Sequence, residues 1–121
     1  MRPPGRHRPR VLLLEDEPAD ATDLALNLQS LGYEVLGPCR TVDEARAAAA
    51  AHRPDAAILD AGLTLHPRPD PILSQLRDAD VAIGFIAAGR VPTAWAGGAP
   101  VLRRKTSLPE MDGILKEIVA I

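Results

Sequence analysis

Five short apolar, strand-like runs alternate with helical patterns along this chain, and that alternation restricts it to α/β folds built from βαβ units. Val11 to Leu14 is continuously apolar, as a strand covered on both faces requires. Pro18 suits a first helical turn, Leu24, Leu28 and Leu31 recur at i, i+4 and i+7, and Gly32 stands where a C′ glycine stops a helix. Tyr33 to Gly37 reads as a second strand ended by Pro38. Thr41 with Glu44 forms a capping box for a helix through the Ala47–Ala51 run, which ends before Pro54. Asp55 to Asp60 is the third strand, and residues 61–71, with Gly62, Pro67, Pro69 and Pro71, read as a loop. A short helix from about Pro71 to Asp78 carries Ile72, Leu73 and Leu76, and Val81 to Ala87 is the fourth strand.

Gly89, Pro92, Gly97 and Gly98 interrupt residues 88–99, so the fourth helix is expected to be short or unwound. Val101-Leu102 gives a brief fifth strand, and Ser107 with Glu110 caps a last helix striped by Met111, Ile114, Leu115 and Ile118. Right-handed crossovers at this spacing imply a doubly wound, five-stranded parallel sheet. Ligands in such sheets bind beyond the carboxyl ends of the strands, where the strand order reverses.

A chain of 121 residues is one domain, and 46% apolar residues exclude a disordered one. Tyr33, Phe85 and Trp95 are the only aromatics, so the core must be aliphatic. No apolar run approaches the roughly 18 residues of a membrane span. Glu15, Asp16 and Glu17 cut short the run after the basic start, so secretion is not expected. Cys39 is alone and cannot form an internal disulfide, which fits a cytoplasmic protein. Residues 1–10 hold four arginines and no acid; residues 1–9 read as a disordered basic tail ahead of a domain at 10–121. Without residues 1–10, ten basic stand against sixteen acidic residues, so direct DNA binding by this acidic body is not expected.

The first strand runs into Glu15-Asp16-Glu17 and the third ends in Asp60. If the two strands are neighbours, these carboxylates meet in one crevice, where they repel unless a cation lies between them. Mg²⁺ is the natural cation, since it takes oxygen ligands and keeps several waters. Glu17 and Asp20 also suit simple capping of the first helix, whereas Asp60 precedes Ala61-Gly62 with no helix in view to cap.

The phrases Val11-Leu-Leu-Leu-Glu15-Asp16-Glu17-Pro18 and Arg53-Pro-Asp-Ala-Ala-Ile-Leu-Asp60, with the order of elements, carry a resemblance to the receiver domain of two-component response regulators. It covers roughly residues 10–121. Leu63, the Pro-rich loop and Gly98-Ala-Pro-Val-Leu102 look like regulators paired with an alternative class of sensor kinases common in alphaproteobacteria. The resemblance implies a flavodoxin-like strand order 2-1-3-4-5. It implies that Asp60 accepts a phosphoryl group from a sensor histidine kinase or phosphotransfer protein. Glu15, Asp16, Asp60 and the backbone carbonyl of Gly62 would hold Mg²⁺. It further implies signalling by protein contact, homodimerisation through the face of the last helix, no membrane partner, and no enzymatic activity beyond the domain's own phosphoryl transfer and dephosphorylation.

Several positions depart from that family's pattern. Ala87 stands where a Thr or Ser hydroxyl is usual at the end of the fourth strand. Arg104 stands at the usual Lys position and Lys105 at that of a cis-Pro, so either cation is a candidate for the phosphoryl group. Val101 replaces the usual aromatic of the fifth strand. Two readings follow: a phosphorylatable single-domain receiver, 121 residues leaving no room for an output domain, or a pseudo-receiver acting independently of phosphorylation. A haloacid-dehalogenase-type phosphatase would need an Asp where Gly62 stands, and a dinucleotide site would need glycines where Glu15-Asp16-Glu17 stands. His7, His52 and His66 share no metal-like spacing, and nothing in the sequence activates Cys39. Trp95 reads equally as a lid on the core or as a partner anchor.

Overall fold

A computed structural model describes residues 8–65, 68–87, 99–103 and 107–119. Five parallel strands form one sheet in the order β2-β1-β3-β4-β5: β1 Arg10–Leu14, β2 Glu34–Cys39, β3 Ala56–Asp60, β4 Ala82–Ala87 and β5 Val101–Arg103. The described helices are α1 Pro18–Ser30, α2 Val42–His52, α3 Ala61–Thr64, α4 Ile72–Asp78 and α5 Leu108–Val119. The expected short or unwound fourth helix, and with it Trp95, lies outside the described residues.

Strand alternation sorts the core into two layers. Val11 and Leu13 of β1, Ile58 of β3 and Ile86 of β4 pack with Leu24 and Leu28 of α1 and Met111 and Leu115 of α5. Leu12, Leu14, Leu59 and Phe85 face the other way, onto Ala45 and Ala49 of α2 and Ile72, Leu73 and Leu76 of α4. Val11 to Leu14 are all fully buried, which is why this strand reads as an unbroken apolar run.

Local signals fix the helix ends. Glu17 caps α1, its Oε1 accepting the Ala19 N–H at 3.1 Å, and Pro18 follows in the first turn. At the other end Gly32 takes φ +96°, its N–H donates to the Gln29 carbonyl, and the Tyr33 N–H donates to the Leu28 carbonyl. Those two bonds, with Tyr33 and Leu28 buried together, make a complete Schellman stop. Thr41 caps α2 as expected, but Glu44 reaches back to the Arg40 N–H rather than to that of Thr41. Ser107, just ahead of α5, is bonded to Glu110 in its first turn.

Two sequence expectations are corrected. Residues 61–71 are not wholly a loop, because α3 forms immediately after β3. Nor does β2 stop at Gly37: it runs through a cis Gly37–Pro38 bond to Cys39. Proline is tolerated there because, among the described residues, β2 is an edge strand with no ladder partner on its outer side. The register moves from Leu12↔Leu36 to Leu14↔Cys39, so Gly37 and Pro38 together oppose Leu13 in a bulge.

Gly37 is required in that bulge. Its φ is +114°, and a Cβ would lie 2.9 Å from the Leu13 carbonyl oxygen and against the Cys39 amide nitrogen. Gly37→Ala is expected to cost about 1–3 kcal/mol, read as a lower urea midpoint at unchanged slope. The bulge also serves the site, since it sets the Cys39 carbonyl 3.0 Å from the Glu15 N–H.

Candidate functional site

Strands β1 and β3 are adjacent, paired from Val11↔Ala56 to Leu14↔Leu59, so the residues just beyond them share one crevice. Glu15, Asp16 and Asp60 meet there, each offering one carboxylate oxygen, the three within 4.8 Å of one another. Glu15 and Asp60 are buried, and Asp16 is exposed at the mouth. Three carboxylates this close repel one another, and the arrangement favours a positive charge among them. A purely oxygen donor set suits a hard divalent cation such as Mg²⁺ and offers nothing to a soft metal.

Each buried carboxylate is anchored by backbone. The Glu15 N–H is held by the Cys39 carbonyl, and its Oε2 accepts the Glu17 N–H at 3.1 Å. Asp60 Oδ1 accepts the Gly62 N–H at 2.7 Å and the Leu63 N–H at 3.3 Å. Asp60 is therefore the N-cap of α3, contrary to the expectation that it has no helix to cap. The Pro- and Gly-rich composition of 61–71 hid this single turn. Gly62 enters the site through that N–H, at the residue whose carbonyl is expected to serve the metal.

The β3–β4 register pairs Asp60 with Ile86 and leaves Ala87 one residue beyond. Ala87 is buried against apolar neighbours, so the end of β4 presents a methyl group and no hydroxyl. Val101 of β5 pairs with Phe85, which itself pairs with Leu59, one position short of Asp60. Arg104 and Lys105, the two candidate cations, lie outside the described residues, as do His7 and His66. Glu17 is taken up in capping α1, and Asp20 sits in its first turn. Burial, with the Glu44 carboxylate adding to it, pushes the Cys39 thiol up, which disfavours the reactive thiolate.

Sequence reasoning missed Thr64, a fully buried hydroxyl bonded to the Asp60 carbonyl at 2.8 Å. The signal was a polar residue four positions after an acidic one, unreadable without knowing that a helix turns there.

No protein-family model matches the chain, and no curated protein sequence matches it. Solved structures do match. The signal receiver domain of a modulated diguanylate cyclase from Desulfovibrio desulfuricans G20 superposes with a TM-score of 0.81 at 25% identity, covering 93% of this chain and 94% of that one. SdrG from Pseudomonas melonis Fr1, in its BeF3-activated conformation, gives 0.77 at 27% identity, with coverages of 91% and 95%. The chain has the receiver-domain fold. The response regulator PhyR from Brucella abortus gives 0.75 at 25% identity over 94% of this chain, which spans only 49% of PhyR. The acidic crevice lies at the carboxyl ends of β1 and β3, on either side of the point where the strand order reverses.

Proposed function

We propose that this receiver accepts a phosphoryl group on Asp60 from the phosphohistidine of a sensor histidine kinase or phosphotransfer protein, in a Mg²⁺-dependent reaction, and signals by protein–protein contact. The meeting of Glu15, Asp16 and Asp60 in one crevice carries the reading. A fold as similar as SdrG takes the beryllofluoride-activated form, which supports it.

Glu15, Asp16, Asp60 and the Gly62 carbonyl are the oxygens that would hold the metal, and Mg²⁺ when bound neutralises charge on the transferring group. The chain's own part is positioning, which does most of the work in phosphoryl transfer. The α3 amides engage Asp60 Oδ1, so Oδ2 forms the new P–O bond. The P–N bond of the donor breaks as it forms, and its electron pair leaves with the imidazole. Arg104 or Lys105 supplies the cation beside the transferred oxygens. Activity ends with this transfer and the domain's own dephosphorylation, in the cytoplasm and without DNA contact. Among the described residues no helix is long and apolar enough to cross a membrane.

A pseudo-receiver that binds partners without phosphorylation is the second reading, and Ala87 favours it. With no hydroxyl at the end of β4, the phosphoryl group lacks the contact that would couple it to the rest of the sheet.

An amide NMR titration separates the two. Mg²⁺ is expected to shift Glu15, Asp16 and residues 60–63 saturably, and beryllofluoride to add a second set of shifts there. Mg²⁺ binding without a beryllofluoride response would leave an inert acceptor, and silence towards both would leave the pseudo-receiver.

A further inference from the structure

The turn that carries Asp60 is too short to hold itself. A helix of four residues fixes several dihedrals for very few bonds, so α3 depends on what surrounds it. The Gly62 and Leu63 amides sit on Asp60 Oδ1, and the Leu65 N–H donates to the Ala61 carbonyl at 2.9 Å. The Asp70 N–H returns to the Thr64 carbonyl at 2.8 Å and ties down the chain that follows. A further bond runs from the Thr64 hydroxyl to the backbone carbonyl of Asp60, at 2.8 Å and wholly buried. A buried hydroxyl costs free energy unless it is bonded, so at a site closed to water this bond is what recommends threonine over valine.

We propose that Thr64 is a positioning residue for the chemistry of Asp60. Its hydroxyl fixes the Asp60 carbonyl, and with it the turn whose amides hold Oδ1, so the carboxylate keeps one oxygen on α3 and presents the other to the crevice. The proposal rests on the reading of Asp60 as the phosphoacceptor. Glu15 and Asp16 stand outside this device: Glu15 is held by the Cys39 carbonyl and the Glu17 amide, on the other strand of the crevice.

Thr64→Val removes the donor and nearly preserves the shape, and Thr64→Ser restores the donor. Two measurements on the full chain test the role, with the thermal midpoint followed beside them. Without ligand, amide exchange at Gly62 and Leu63 is expected to be about tenfold faster in Thr64→Val and near wild type in Thr64→Ser, the factor that one ordinary buried hydrogen bond carries. In the NMR titrations, Thr64→Val is expected to raise the beryllofluoride midpoint about tenfold and the Mg²⁺ midpoint by less, because the Glu15 and Asp16 oxygens lie outside the turn, and serine to rescue both. Exchange and beryllofluoride midpoint both at wild-type values would overturn the proposal. So would a joint loss of Mg²⁺ binding, beryllofluoride binding and thermal midpoint that serine does not rescue, since that marks a packing role alone. A wild type silent to beryllofluoride overturns the phosphoacceptor reading instead, and the exchange rates at Gly62 and Leu63 then decide whether Thr64 holds the turn.

Discussion

Asp60→Asn is expected to abolish the beryllofluoride response and leave the fold intact. Asparagine keeps a carbonyl oxygen at Oδ1, so the Gly62 and Leu63 amides still have their acceptor and α3 keeps its cap. What changes is the second oxygen, replaced by an amide nitrogen that cannot form the acyl bond, and the charge. The crevice drops from three carboxylates to two. At an effective dielectric constant near 20, a unit charge about 4 Å away is worth on the order of 4 kcal/mol before solvent competition, so Mg²⁺ affinity should fall by at least about tenfold. A ligand that binds only the folded state raises its stability in proportion to RT ln(1 + [L]/Kd). Millimolar Mg²⁺ should therefore raise the thermal midpoint of the wild type and raise that of Asp60→Asn distinctly less. A beryllofluoride adduct that survives in the Asn variant would sink the assignment of Asp60.

The parts of this molecule that were legible in its sequence are those decided locally. Val11 to Leu14 announced a doubly covered strand because each residue is apolar, whichever face it meets. The stop at Gly32 was readable because a left-handed residue after an apolar periodic run has one common meaning. The carboxylates were readable as strand-end residues, and the strand order turned two separate acidic ends into one crevice.

What was not legible depends on neighbours distant in sequence. Pro38 looks like a terminator, yet β2 lies at the sheet edge and the bulge opposite Leu13 absorbs it. The single turn of α3 lies among prolines and glycines, and bonds to Asp60 and Asp70 hold it rather than helix propensity. Asp60 thus has two roles, strand-end carboxylate and helix cap, of which composition revealed one. The cap explains how a carboxylate so near two others keeps a fixed orientation.

Phe85→Ala should cause the largest loss of stability of any core truncation on the β4 side of the sheet. Phe85 is the one phenylalanine of the chain and is fully buried at the centre of β4, opposite Leu59 on one side and Val101 on the other. Its neighbours in that layer include alanines at 45, 49, 57, 61 and 87, whose small side chains leave the volume for Phe85 to fill and have little reach to close a cavity. Truncations of this kind cost about 3–5 kcal/mol, with the upper part of the range where the site cannot collapse. Set against a total near 5–15 kcal/mol, that leaves a marginal domain. Phe85→Leu retains most of the volume and should cost less than half as much. Urea unfolding of the two variants, with slopes matching wild type, checks both values. A loss below about 1 kcal/mol for Phe85→Ala would mean that the α2–α4 layer repacks freely. Should the larger loss hold, the ring sets the spacing between α4 and the sheet, and β4 delivers Ala87 beside Asp60 from a strand that one side chain keeps in place.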